Sequence, residues 1–198
     1  MARNGTKVAS VTSVVLVEGI SDQRAIEALA ERRGRDLDAE GIAVVAMGGS
    51  KNITRFLDRF GPRGLDVDLA GLCDAAEERD FSRGLERAGL GAAPTRADME
   101  RLGFFVCVAD LEDELIRSLG VTAVERVINA QGELGAFRTF QRQPEWRERN
   151  VEEQLRRFLG TLGGRKIRSA PALVEALDLA KVPRPLDRVL AHVGASNG

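Results

Sequence analysis

The sequence predicts an α/β protein: about four parallel strands flanked by helices, continued by a helical extension. Three observations carry this. Apolar runs of strand length recur up to residue 120, each followed by a segment with helical spacing, and strands alternating with helices imply parallel order with right-handed crossovers. The runs lack polar alternation, as strands covered on both faces do. After Gly120 the strand signal stops while helical spacing goes on.

Residues 13–18 form the first apolar run. Ser21 is placed to cap the helix that follows, whose Ala25, Ile26, Leu29 and Ala30 make one apolar stripe closed by Gly34. Ile42 to Met47 is the second strand. Gly48 and Gly49 turn the chain, Ser50 is the next expected cap, and Ile53, Phe56, Leu57 and Phe60 repeat at helical spacing. Asp68 to Cys73 is the third strand, with a helix from about Glu77 to Ala88. Residues 91–103 read as a loop with room for one helical turn. Phe104 to Val108 is the fourth strand, and Asp110 caps a helix carrying Leu111, Leu115, Ile116 and Leu119. Val121–Ala130, Leu134–Gln141, Val151–Leu159 and Pro171–Ala180 read as helices, with Pro171 at a first helical position. The boundary is therefore set between an α/β domain over 1–120 and an extension over 121–198.

Composition narrows the chemistry. The chain has 198 residues and a net charge of -1. The balance is uneven: residues 1–134 hold 17 Lys and Arg against 23 Asp and Glu, whereas residues 135–170 hold 9 against 4. An acidic body with a basic stretch suits a metal site beside a polyanion, although charge also fluctuates along any chain. No apolar stretch is long enough for a membrane helix and no signal-peptide core precedes the first strand, so a cytoplasmic protein is expected. Cys73 and Cys107 fall in buried strands and read as inert core thiols. The single histidine, His192, has no nucleophile motif to serve, and Gly48-Gly49-Ser50-Lys51 lacks the leading glycine of a phosphate-binding loop.

Carboxylates remain. Glu18 directly continues the first strand and Asp22 lies one turn on. Asp74 ends the third strand, with Glu77 and Glu78 after it, and Asp110 and Glu112 follow the fourth. Strand ends near a topological switch point are where open α/β sheets place their chemistry. Hard divalent cations take such oxygen ligands and act on phosphodiesters. Asp22, Glu77 and Asp110 equally suit helix N-termini, where the dipole favours acids.

Leu16-Val17-Glu18-Gly19-Ile20-Ser21-Asp22, the Gly48-Gly49 turn, Asp74 and Asp110-Leu111-Glu112, in that order, resemble the Toprim domain, in particular that of the overcoming-lysogenization-defect (OLD) family of nucleases. The resemblance implies a Toprim-like fold and a Mg²⁺ (or Mn²⁺) dependent nuclease or nucleotidyl-transfer domain acting on DNA. It implies Glu18 as a catalytic and metal-linked residue, with Asp22, Asp74 and Glu112 as further metal ligands. The second acid of the family's Asp-x-Asp pair falls at Ala76, which has no ligand oxygen. A degenerate, non-catalytic Toprim protein that binds nucleic acid or a partner ATPase is therefore the alternative.

The resemblance also offers Lys166, within Gly164-Arg165-Lys166-Ile167-Arg168, as the cation that stabilises phosphate charge. Lys51, Arg165, Lys166 and Arg168 are the candidate nucleic-acid contacts, the alternative being a solvated turn. No ATPase motif precedes the strands, so a stand-alone Toprim protein working with a separate ATPase follows by analogy; homo-oligomerisation stays open.

Overall fold

The computed structural model describes residues 11–161 and 163–195. The four apolar runs become Ser13–Val17 (β1), Ile42–Ala46 (β2), Asp68–Cys73 (β3) and Phe104–Val106 (β4). They form one parallel sheet in the order β2-β1-β3-β4. The chain steps outward from β1 to β2, then returns past β1 to β3. That reversal puts the switch point between β1 and β3. The register pairs Val17 with both Ala46 and Leu72, so Glu18 and Asp74 emerge at the same sheet edge from neighbouring strands.

Because strand side chains alternate between faces, each apolar run feeds two cores. Val15, Val17, Ala70, Leu72 and Phe105 point to one, and Val14, Leu16, Phe104 and Val106 to the other. The second core is covered by Ile53–Phe60 (α2), Glu78–Ala88 (α3) and Arg96–Arg101 (α4), through Ile53, Leu57, Phe81, Leu85 and Met99. Gly71 sits under the Phe104 ring, where a Cβ would lie 2.5 Å from Cδ1. The close approach of that ring requires glycine.

The first core is larger. It takes Ile20–Arg32 (α1), Leu111–Leu119 (α5), Val121–Ala130 (α6), Leu134–Gln141 (α7), Val151–Gly160 (α8), Gly163–Ala176 (α9) and Arg184–Ala195 (α10). Helix α9 packs along α1, with Leu173 and Val174 fully buried. Arg32 Nη1 donates to the carbonyls of Val174 (2.8 Å) and Leu177 (2.7 Å), tying the end of α1 to the end of α9. Each fully buried leucine or valine here contributes about 2 kcal/mol. These helices therefore form one continuous core with the sheet.

Several local expectations change. Ser21 does not cap α1: Gly19 is the N-cap, and Asp22 Oδ2 accepts from the Gly19 amide at 3.0 Å. Ser50 opens a 3₁₀ turn, and its hydroxyl donates to Asp80 Oδ2 at 2.8 Å instead of capping. The expected loop at 91–103 holds α4, capped by Thr95 and Asp98. Strand β4 stops at Val106 and leaves Val108 exposed. Pro171 lies inside α9, not at its start, because the helix begins upstream at Gly163. Asp110 caps α5 as expected, accepting from the Asp113 amide at 2.8 Å.

Candidate metal centre

Three backbone arrangements build the site. At the end of β1, the amides of Gly48 and Gly49 both donate to the carbonyl of Glu18, at 3.0 and 3.1 Å. Both glycines have positive φ (72° and 122°), which lets successive amides converge on one acceptor. The Gly-Gly turn thus anchors the residue bearing the first carboxylate. At the end of β3, Asp74 starts the 3₁₀ turn Ala75–Glu77, closed by the Glu77 amide on the Asp74 carbonyl at 3.0 Å. That tight turn brings Glu77 back over Asp74. At the end of β4, Asp110 and the first turn of α5 present Glu112, which is 5% exposed.

Carboxylate oxygens of Glu18, Asp74 and Glu77 lie within 4.8 Å of one another. Glu18 and Asp74 are brought together. Glu77 supplies the third oxygen, whereas Ala76 provides none and Glu78 turns away to pair with Arg96. Beside this trio, Lys166 Nζ meets Glu112 Oε2 at 3.1 Å. Asp22, 8% exposed, spends one oxygen on the Gly19 amide and faces the same ammonium.

The electrostatics follow from gathering so many acids where water is scarce. Burial pushes the Asp74 carboxyl up to about 8, with the Asp22, Asp110 and Glu112 charges adding to the shift and Lys166 opposing it. Glu18 is raised by burial and by Glu77 and Asp22. Asp22 and Glu112 are raised by burial, against the pull of Lys166. Burial pulls the Lys166 ammonium down, but Glu112, Asp22 and Asp74 more than offset it, so it is held above the ordinary lysine value. Two buried carboxylate oxygens, Glu77 Oε2 and Glu112 Oε1, have no hydrogen-bond partner. Unpaired buried oxygens of this kind are costly. An all-oxygen donor set with orphaned lone pairs is what a hard divalent cation would satisfy. The residues fit such an ion.

The remaining candidates lie elsewhere. Arg165 stacks over Phe158 at 3.9 Å and pairs with Glu133 at 2.5 Å; Arg168 joins the same Glu133 at 2.9 Å. Both guanidiniums tie α9 to the residue preceding α7. Lys51 is exposed after the Gly-Gly turn. Cys73 and Cys107 are free and buried, and burial raises both thiols, as fits inert core groups. Glu77, three residues after the strand-ending acid, joins the cluster from outside the family motif.

Residues 11–75 match the family model of the overcoming-lysogenization-defect protein-like TOPRIM domain. Residues 11–75 are thus similar to an OLD-like Toprim domain. The C-terminal region of the Burkholderia pseudomallei OLD protein superposes with TM-score 0.74 at 22% identity, covering 95% of this chain and 99% of that one. The C-terminal region of the Xanthomonas campestris pv. campestris OLD protein gives 0.72 at 26% identity, covering 94% and 93%. No curated protein sequence matches significantly. The fold likeness extends over the helices after residue 120 as well as the sheet. Among the described residues, no helix is long and apolar enough to cross a membrane.

Proposed function

We propose that the chain is a divalent-metal-dependent nuclease that hydrolyses DNA phosphodiesters. The observation that carries this is the convergence of Glu18, Asp74 and Glu77 oxygens within 4.8 Å at the switch point of an OLD-like Toprim sheet. Glu18, Asp74 and Glu77 would hold Mg²⁺ or Mn²⁺, with Asp22 and Glu112 completing the acidic surround. Such an ion supplies charge neutralisation at the phosphoryl oxygens and lowers the pKa of an attacking water.

The chain's own groups do the rest. The Gly48 and Gly49 amides fix the backbone of Glu18 at the end of the first strand. The Asp22–Gly19 contact locks the strand-to-helix corner. Lys166, held by Glu112 at 3.1 Å, places a permanent positive charge where phosphate negative charge grows. Lys51 and Arg168, both exposed, would contact the backbone outside the centre, and Arg165 would steady the helix that presents Lys166. Purified protein should nick plasmid with Mg²⁺ or Mn²⁺, stop with EDTA, and lose activity in Glu18→Ala. Failure of metal-dependent nicking removes the catalytic reading.

Ala76 favours a second reading, in which the domain binds nucleic acid or a partner ATPase without cutting. Calorimetric Mn²⁺ titration separates the two. Carboxylate-dependent binding supports the nuclease; no binding supports the relic.

A further inference from the structure

We propose that the cavity beside the acidic centre receives one unstacked nucleotide of single-stranded nucleic acid; this rests on the nuclease reading and adds how the strand is held. The cavity, about 440 Å³, is lined by Asp110, Trp146, Arg149, Glu153, Arg156 and Arg157. That falls within the ~300–1,000 Å³ typical of small-ligand sites. Asp110 is the N-cap of α5, two residues before Glu112, so the cavity adjoins the metal centre.

Trp146 is held like a platform. Its ring stacks on Phe140 (centroids 5.2 Å apart, 28° between planes), and Phe140 rests against Phe158. The connection carrying it is clamped by Gln154, 4% exposed, whose Nε2 donates to the carbonyls of Trp146 (2.7 Å) and Arg149 (3.0 Å). Gln141 in turn donates to Gln154 Oε1 at 2.7 Å. A buried amide satisfied in this way fixes the backbone that carries Trp146 and Arg149 into the lining.

The lining is also cationic. Arg156 Nε is pinned by Asp110 at 2.6 Å, Arg149 meets Glu153 only at 3.9 Å, and Arg157, exposed, makes no ion pair among the described residues. A flat ring and guanidiniums lining one cavity are the equipment for stacking a base while holding its phosphate. Stacking on that ring needs a base with a free face, which selects a single strand or a frayed end.

Trp146 is the one tryptophan of the chain, so its fluorescence reports directly on the cavity. The probes are hexathymidylate and an abasic strand of equal length, titrated in EDTA and then in Mg²⁺. The expected result is saturable quenching by hexathymidylate and at least ~5-fold weaker quenching by the abasic strand. Arg157→Ala should weaken binding ~5-fold or more and reduce the salt slope by ~0.7, the share of a single phosphate. Arg157 is exposed, so an unchanged melting temperature confirms that this variant folds. Unchanged Trp146 emission overturns the subsite whether or not plasmid is nicked, as does equal quenching by the abasic strand. Quenching without nicking under any metal supports the subsite and overturns the nuclease reading instead.

Discussion

Replacing Asp74 with asparagine should stabilise the metal-free protein at alkaline pH while abolishing its response to divalent metal. The carboxyl is raised from 3.8 to about 8, first by burial and then by Asp22, Asp110 and Glu112. The folded state therefore keeps a proton that the unfolded chain gives up near pH 4. Its contribution to stability is present below the unfolded value and is lost as pH rises through about 8. At ~1.4 kcal/mol per unit the ceiling is ~6 kcal/mol, and the partial opening of the site to water brings the expected figure to ~2–3 kcal/mol. Asparagine keeps the shape without the charge. Urea unfolding in EDTA at pH 5, 7 and 9 should show the two proteins converging at pH 5. At pH 9 Asp74→Asn should be the more stable by that amount. Adding Mg²⁺ at pH 9 should stabilise only the parent protein. If the variant is less stable at pH 9, or the two pH profiles run parallel, the acidic centre is not the strained, cation-seeking cluster described above.

Three further outcomes are expected. Lys166→Met strands Glu112, 5% exposed, without its cation; denaturation should show a loss of ~2 kcal/mol, largely restored by adding Glu112→Gln. Glu77→Gln should weaken Mn²⁺ binding ~10-fold by calorimetry while Glu78→Gln leaves it unchanged, since Glu78 is committed to Arg96. Gly71→Ala, which drives a Cβ to 2.5 Å from Phe104 Cδ1, should cost ~1–3 kcal/mol by urea denaturation with metal binding retained.

The sheet was legible because its strands are covered on both faces. Val14 to Val17 and Ile42 to Ala46 read as uninterrupted apolar runs, which a half-exposed strand would not give. Glu18 and Asp74 were legible for the same reason: a charge that ends such a run is conspicuous. The miss at α4 reflects its six residues, too few to show a helical period. Pro171 misled because proline favours a first turn, while Gly163 and Gly164, poor helix formers, concealed the true start of α9. Glu77 was ambiguous because its role depends on a 3₁₀ closure after Asp74, a handful of torsion angles that hydrophobic spacing does not encode. The destinations of Arg165 and Arg168 turn on Glu133, more than 30 positions earlier in the chain, a pairing no local pattern announces.

The bridge from Lys166 to Glu112 also bears on the order in which the molecule is made. During synthesis the strands and their acids emerge first, and the ammonium that tempers them follows about fifty residues after Glu112. Until α9 docks along α1, the nascent sheet holds repelling charges and an uncovered greasy flank. Docking of α9 and charge compensation should therefore come in a single event. A ribosome stalled before residue 166 would display a half-built domain that attracts chaperones, and cations, more avidly than the finished one.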